Sequence, residues 1–468
     1  MTAIDYRHAA PVPQPSRLAR VGLWLRDHRR AIMAMQWAVV LIYAVLLIGP
    51  AVLPLPPSGA HIWNNLTLLA QFLFWGVWWP GVLISMLVFG RLWCGIFCPE
   101  GALSEFAARH GRGRATPRWI RWRGWPFAAF VMTTVYGQLI SVYQYPLPVL
   151  VILGGSTAAA IAVGYMYGRN KRVWCRYLCP VNGVFGLLSK LAPVHFGVDQ
   201  QQWNAPVQRP EAMQPFTCAP LVAVKTMKGA SPCHMCGRCA GFRDAVELKS
   251  RRPDHEVVHV AGETASHWDS LLIITGLIGV ALGAFQWSAS PWFVTIKQAL
   301  AGWLIRHDTI WPLEHSLPWF MLTNYPGRND VLTLLDATVL LSYIAAATAI
   351  LSLGVALPLA LAVRIVGRWQ WQRFHHLAHG LIPLAAAGVI LGLSSMTVTQ
   401  LRADGFALGW IGTAWFWTLA IAVMASAWLL TRILGRYASG PRQVAASGAA
   451  ILSVTAPLVG WWLLFWHW

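Results

Sequence analysis

Residues 74–99 read FWGVWWPGVLISMLVFGRLWCGIFCP, an apolar run that ends in Arg91, Trp93, Cys94, Cys98 and Pro99. From residue 65 to residue 90 there is no Asp, Glu, Lys or Arg. A hydrocarbon core about 30 Å thick takes roughly 20 apolar residues as helix, since a helix satisfies its own backbone where water is absent. The run is long enough to span, and its two thiols then emerge at the membrane surface.

The pattern recurs as Arg172-Val-Trp174-Cys175-Arg-Tyr-Leu-Cys179-Pro180, with first cysteines 81 residues apart. Each motif follows a pair of apolar runs and leads into a short amphipathic stretch, residues 101–110 and 183–191. This reads as a duplicated helix-pair unit whose two copies have the same orientation. A Cys-x3-Cys spacing on a helix puts both sulfurs on one face about a turn apart, and the following Pro is tolerated where that helix ends or restarts.

The rest of the chain fits the same solvent. Its 468 residues are 56% hydrophobic and 11% charged, with mean hydropathy +0.50, against about 25% charge in soluble domains. Many of its 28 Trp sit near the ends of apolar runs, the place of an aromatic belt. About nine runs reach span length: 31–53, 65–90, 125–144, 147–167, 268–288, 333–362, 377–397, 407–431 and 445–466.

The net charge of +19 raises the question of nucleic acid, but the Lys and Arg lie between the apolar runs, with no soluble basic domain or recognition helix, so a nucleic-acid partner is not expected. With the N-terminus inside, 32 of the 36 Lys and Arg fall on the cytoplasmic side, and only Lys297, Arg306, Arg328 and Arg402 lie outside. That asymmetry predicts a multi-pass protein of the inner (cytoplasmic) membrane, with the cysteine motifs cytoplasmic and the C-terminus periplasmic. The first run is longer than a signal-peptide core and lacks a small-x-small cleavage site, which favours a retained anchor.

The expected organisation is a cytoplasmic N-terminal segment (1–30), the duplicated membrane unit (31–190), a cytoplasmic loop domain (191–267) and a C-terminal membrane domain of about five helices (268–468) with an outer loop at 288–330. That outer loop, rich in Trp and Pro, carries no assignable motif.

All eight cysteines fall in segments assigned to the cytoplasm, where ligand or redox roles outrank structural disulfides. One set is Cys218 with Cys233-His-Met-Cys236-Gly-Arg-Cys239. Three thiolates at two-residue spacing wrap three corners of a cubane; a bacterial ferredoxin motif takes its fourth Cys three residues on. That Cys is missing after Cys239, so Cys218 is the expected fourth ligand of one 4Fe-4S cluster. A zinc site on the same thiolates, or a cluster with a non-Cys fourth ligand, stays open, although zinc sites usually show two separated pairs. The second set is Cys94, Cys98, Cys175 and Cys179, which the duplication brings together as a second redox or metal site. Redox-active thiols, a disulfide or buried thiols acting as small hydrophobes are the alternatives.

At these residues the chain resembles the membrane-bound polyferredoxin-like proteins of the NapH, NosR and RdxA/FixG type. The likeness covers about residues 30–265 and rests on the paired Trp-Cys-x3-Cys-Pro motifs and the cytoplasmic Cys triplet. It implies electron transfer at the cytoplasmic membrane, toward a periplasmic respiratory enzyme or in maturation of a metal centre such as copper. Two departures stand out: one partial ferredoxin motif replaces two full ones, and no flavin-attachment motif is present.

Other groups are weaker. Arg373-Phe-His375-His376-Leu-Ala-His379 opens the seventh run on the inner side, where imidazoles serve haem or quinone sites, but two ligands on one helix do not make a bis-His haem. Asp336 is a costly carboxylate near the outer end of a run. His307 and His315 are scattered outer-loop candidates for a metal.

The chain therefore reads as an all-α polytopic membrane protein of about nine transmembrane helices, with a small cytoplasmic ferredoxin-like cluster-binding loop domain. Its expected role is electron transfer between a cytoplasmic or quinol donor and a membrane or periplasmic acceptor, as a component more than a stand-alone enzyme. A redox partner protein, another membrane subunit or a periplasmic metalloenzyme is the expected company, in lipid. The alternatives are a metal-reducing or metal-delivering assembly factor, and a transporter or scaffold with a structural zinc site.

Overall fold

A computed structural model describes residues 16–57, 59–207 and 210–468. The first half of the N-terminal segment, with Arg7, lies outside the described residues. Among the described residues, eight helices are long and apolar enough to cross a membrane: Arg29–Val52, Leu66–Phe89, Pro146–Tyr167, His267–Gln286, Leu334–Val366, Ile382–Ala403, Ile411–Leu434 and Gly440–His467.

The expected run at 125–144 forms a 15-residue helix instead, Trp125–Leu139, about 22 Å long at 1.5 Å per residue. Ser141, at φ 52°, turns the chain, and Pro146 starts the next helix. One end of this short helix packs Trp125 on Trp122, which in turn meets Trp268. At the other end Tyr136 donates to the Phe320 carbonyl and Leu139 accepts from Thr323 N.

The duplicated unit closes through small residues. Helix Pro146–Tyr167 lies so near helix Pro99–Arg109 that a Cβ on Gly164 would sit 2.4 Å from the Ser104 carbonyl, and one on Gly168 2.2 Å from the Ala108 Cβ. Such small-residue spacing lets helix backbones touch where apolar burial alone gives little drive.

The fold is not purely helical. Val194–Val198 and Val246–Ser250 pair antiparallel, Phe196 opposite Leu248, and a second two-stranded pair, Asn324–Tyr325 with Asp330–Val331, sits in the outer loop. The first pair holds the two ends of the segment that carries Cys218 to Cys239, so the cluster loop is tied at its base by a ladder that its irregular sequence did not signal. Helix Arg17–Asp27 packs on that ladder, with Gly22 against Leu248 and Phe196.

The C-terminal helices share one core with the cysteine region: Val82, Met86, Cys94, Phe185, Leu188, Leu272, Leu377 and Leu430 belong to one buried cluster. The cysteine motifs therefore rest on a packed bundle. Asp336 is the N3 residue of a capping box with Thr333 and pairs with Lys297, which places it in a helix-end role at the interface.

Candidate metal centre

In each motif the two cysteines sit on either side of a helix break. Cys94 lies on the short helix Leu92–Ile96, and Cys98 caps the next helix, Pro99–Arg109, its sulfur accepting from Gly101 N at 3.4 Å with Pro99 at the first position. The second copy repeats this with Cys175 on Val173–Tyr177 and Cys179 just before Pro180 and the helix Asn182–Leu188. Pro99 supplies the restart in the first copy, because its missing N–H is an orphan at a helix start anyway, whereas Pro180 lies two residues ahead of Asn182 in the second.

The two copies interlock reciprocally. Arg91, three residues before Cys94, donates to Asn182 Oδ1 at 2.6 Å. Arg172, three before Cys175, donates to the Cys94 carbonyl at 2.5 Å and to Glu105 Oε2 at 2.9 Å, and its guanidinium lies against Gly101. Asn182 and Gly101 are equivalent positions, each three after the second Cys of its motif. Arg172 is 1% exposed and Arg91 4%. A buried guanidinium costs several kcal/mol unless paired, and Glu105 provides the pairing. Burial opposes its charge, but Arg172 and Arg238 outweigh that and hold its carboxyl down to about 2.

These contacts bring Cys94, Cys98, Cys175 and Cys179 into one group: Cys179 feels the other three, Cys98 feels Cys175 and Cys94, and Cys175 feels Cys94. Burial first, then the neighbouring thiols and Glu100, push Cys98 and Cys179 well up, and burial carries Cys175 to about 12. Glu100 is itself held by Ser156 at 2.6 Å and by Trp174 Nε1 of the other copy at 3.1 Å.

Cys218, Cys233, Cys236 and Cys239 form a second group with the same mutual coupling. They line a small cavity of about 20 Å³ with Phe196, Phe216 and Val224. Burial raises Cys218 and Cys239 and takes Cys233 to about 12. The loop turns on Met235 and Gly237, at φ 54° and 74°, and Met235 N donates to Cys233 Sγ at 3.4 Å. His234 lines the same pocket; it is 2% exposed, and its Nδ1 has no partner among the described residues. Burial, then Arg91 and Arg172, hold that imidazole neutral.

The two groups touch. A Cβ on Gly95 would sit 2.0 Å from the His234 carbonyl and 3.0 Å from Cys236 N, so the backbone beside Cys94 is in contact with the Cys233–Cys236 loop. Gln36 also donates to the Gly95 carbonyl, at 2.9 Å.

This chemistry fits a polynuclear metal–sulfur group. Reactive thiols need a lowered pKa, and here burial and mutual repulsion raise it, so these sulfurs carry charge only where a cationic core supplies the compensation. A tetrahedral zinc with Zn–S near 2.3 Å draws its thiolates to roughly 3.8 Å apart. Among the described residues no group of three or more His, Cys, Asp or Glu is set ready around a single ion.

Two segments, residues 71–118 and 150–199, match the family model of a 4Fe-4S binding domain. They contain the paired Cys-x3-Cys-Pro motifs and exclude Cys218 to Cys239, so the likeness falls on the set that sequence reasoning treated as second. It supports an iron–sulfur protein in the ferredoxin-like sense. No curated protein and no solved structure matches the chain.

Two of the three histidines that open the seventh run are spent internally, and the third, His375, meets the Ser270 hydroxyl through Nδ1. His376 donates from Nε2 to the Val257 carbonyl at 2.8 Å and accepts from the Tyr437 hydroxyl at 2.6 Å. His379 donates to the His375 carbonyl, and its Nε2 faces Lys190 Nζ at 2.7 Å and Asp269 at 3.8 Å. Both ring nitrogens of each are thus engaged, leaving none for a haem iron. His307 and His315 donate to carbonyls four residues back. The sequence alone assigns no role to Glu100, Glu105 or His234, nor to Arg91 and Arg172, although an Arg three before the first Cys recurs in both motifs.

Proposed function

We propose that the chain is a membrane-bound electron-transfer protein holding two 4Fe-4S clusters, one on Cys94, Cys98, Cys175 and Cys179 and one on Cys218, Cys233, Cys236 and Cys239. The observation that carries this reading is the contact of two four-thiol groups through Gly95 and the His234–Cys236 loop. When bound, such clusters take up and release single electrons. The chain's own part is to hold and to insulate. Phe196, Phe216 and Val224 keep water from the second group, while Arg91 and Arg172 set positive charge beside both. Cationic and hydrogen-bonding neighbours raise a cluster's potential.

The eight apolar helices suggest a multi-pass membrane protein. The reading adds the short helix Trp125–Leu139 as a ninth crossing in the inner membrane, with the cysteines cytoplasmic, as the Lys and Arg distribution supports. Electrons pass between a cytoplasmic or quinol donor and a membrane or periplasmic acceptor.

The test is iron and acid-labile sulfide analysis with EPR of the reduced protein, purified anaerobically, for the native chain, Cys179→Ala and Cys236→Ala. About eight Fe per native chain is expected, with about four lost in each variant and a different signal lost in each. Zinc without sulfide, or the same iron lost from both variants, sinks the reading.

A further inference from the structure

A cavity of about 440 Å³ opens beside the Cys236 loop, a size typical of small-molecule sites. Cys236 lines it and also lines the thiol pocket, so the two share a wall. Arg26, Arg29, Arg109 and Arg238 face it, against one carboxylate among the described lining residues, Glu105. That carboxylate is already occupied: it accepts from Arg172, Arg109 and Arg238. Arg29, on the exposed rim of the cavity, has no hydrogen-bond or ion-pair partner among the described residues, and its charged neighbours are Arg238, Glu105, Arg109 and Cys236. Ile32, Phe216 and Phe242 give the cavity an apolar wall.

Crowded guanidinium groups with one engaged carboxylate call for an anion with several acceptor oxygens, which phosphate supplies in the geometry Arg forks favour. The apolar wall beside a cluster ligand calls for a planar, redox-active body on the same molecule. We propose that this cavity binds a flavin-type nucleotide, its phosphate on Arg29 and its ring against the Cys236 loop. The inference rests on the electron-transfer reading for its ligand class.

The experiment measures flavin fluorescence polarisation on the full chain in dodecyl maltoside, with flavin mononucleotide and riboflavin as probes, and with iron and sulfide assayed in the same samples. The mononucleotide is expected to bind at least about tenfold tighter than riboflavin, and Arg29→Ala to erase about tenfold of that, the weight of one charge-assisted hydrogen bond. Iron and sulfide should be unchanged in Arg29→Ala, which separates cavity from cluster. No binding, equal binding of the two probes, or an indifferent Arg29→Ala overturns the proposal. So does loss of mononucleotide binding in nanodiscs of anionic phospholipid but not of neutral lipid, which would assign the arginines to a headgroup. Native protein without iron sinks the cluster reading whatever the polarisation shows.

Discussion

Replacing Glu105 by Gln keeps the side-chain shape and removes the charge that Arg172, Arg238 and Arg109 share. Its oxygens accept from Arg172 Nε at 2.9 Å, from Arg238 at 2.7 and 2.8 Å and from Arg109 at 3.1 Å. The three are not equal. Arg109 is partly exposed, and such a pair contributes only a few tenths of a kcal/mol. Arg238 borders a cavity and keeps some exposure there. Arg172, at 1% exposure, has nowhere to go, and one of its terminal nitrogens already lacks a partner. Stranding a buried charge costs about 3–5 kcal/mol, so Glu105→Gln should destabilise by about that much. Arg172→Met removes the stranded charge, so in the double variant the Glu105 change should cost at least about 2 kcal/mol less. Unfolding by SDS in mixed micelles, followed by tryptophan fluorescence, measures the cycle. Additivity within about 0.5 kcal/mol would refute the claim that Glu105 exists to neutralise Arg172.

Two further outcomes follow from the geometry. Gly95→Ala forces a methyl onto the His234 carbonyl; since backbone meets backbone, the overpacking should cost about 1–3 kcal/mol and shift the EPR signals of both proposed clusters in the reduced protein, whereas an effect confined to one signal would deny that the two sites touch. Burial first, then Lys190, hold His379 down to about 3, so the fold keeps it neutral. The stabilisation is full above the unfolded value near 6.5 and is lost progressively as pH drops below it. The melting temperature should therefore drop between pH 8 and pH 5, and His379→Gln should flatten that slope; an equal drop in the variant would exonerate His379.

Much of this molecule is written locally. The charge-free run before Arg91 and the repeated Trp-Cys-x3-Cys-Pro motif imply spans, a duplication and a four-thiol group, because each depends on residues near one another in sequence. Pro99 and Pro180 mark helix restarts for the same reason. The shortness of Trp125–Leu139 is harder to read, since Ser141 in a left-handed conformation is held by the outer loop, where it bonds Thr323, 182 residues on. The strand pair at 194–198 and 246–250 escapes periodicity because its partners are separated by the whole cluster loop. Least legible is the contact of Gly95 with His234: the residues are 139 apart, and a glycine after a cysteine carries no mark of what will lie against it. The imidazoles at 376 and 379 show the converse, residues whose type suggests a ligand but whose nitrogens the fold consumes.

The reciprocal arginines set an order of events during synthesis. Until residues 172–182 have left the ribosome, Arg91 has no Asn182 to hold, Cys94 has two of its three thiol companions missing, and Glu105 lacks the guanidinium that justifies its burial. The first motif is therefore an unfinished half for the time it takes to make and insert the intervening helices. On the proposed reading, the first copy alone offers a cluster two thiols, and the set of four exists only once the second copy has been made and packed against it.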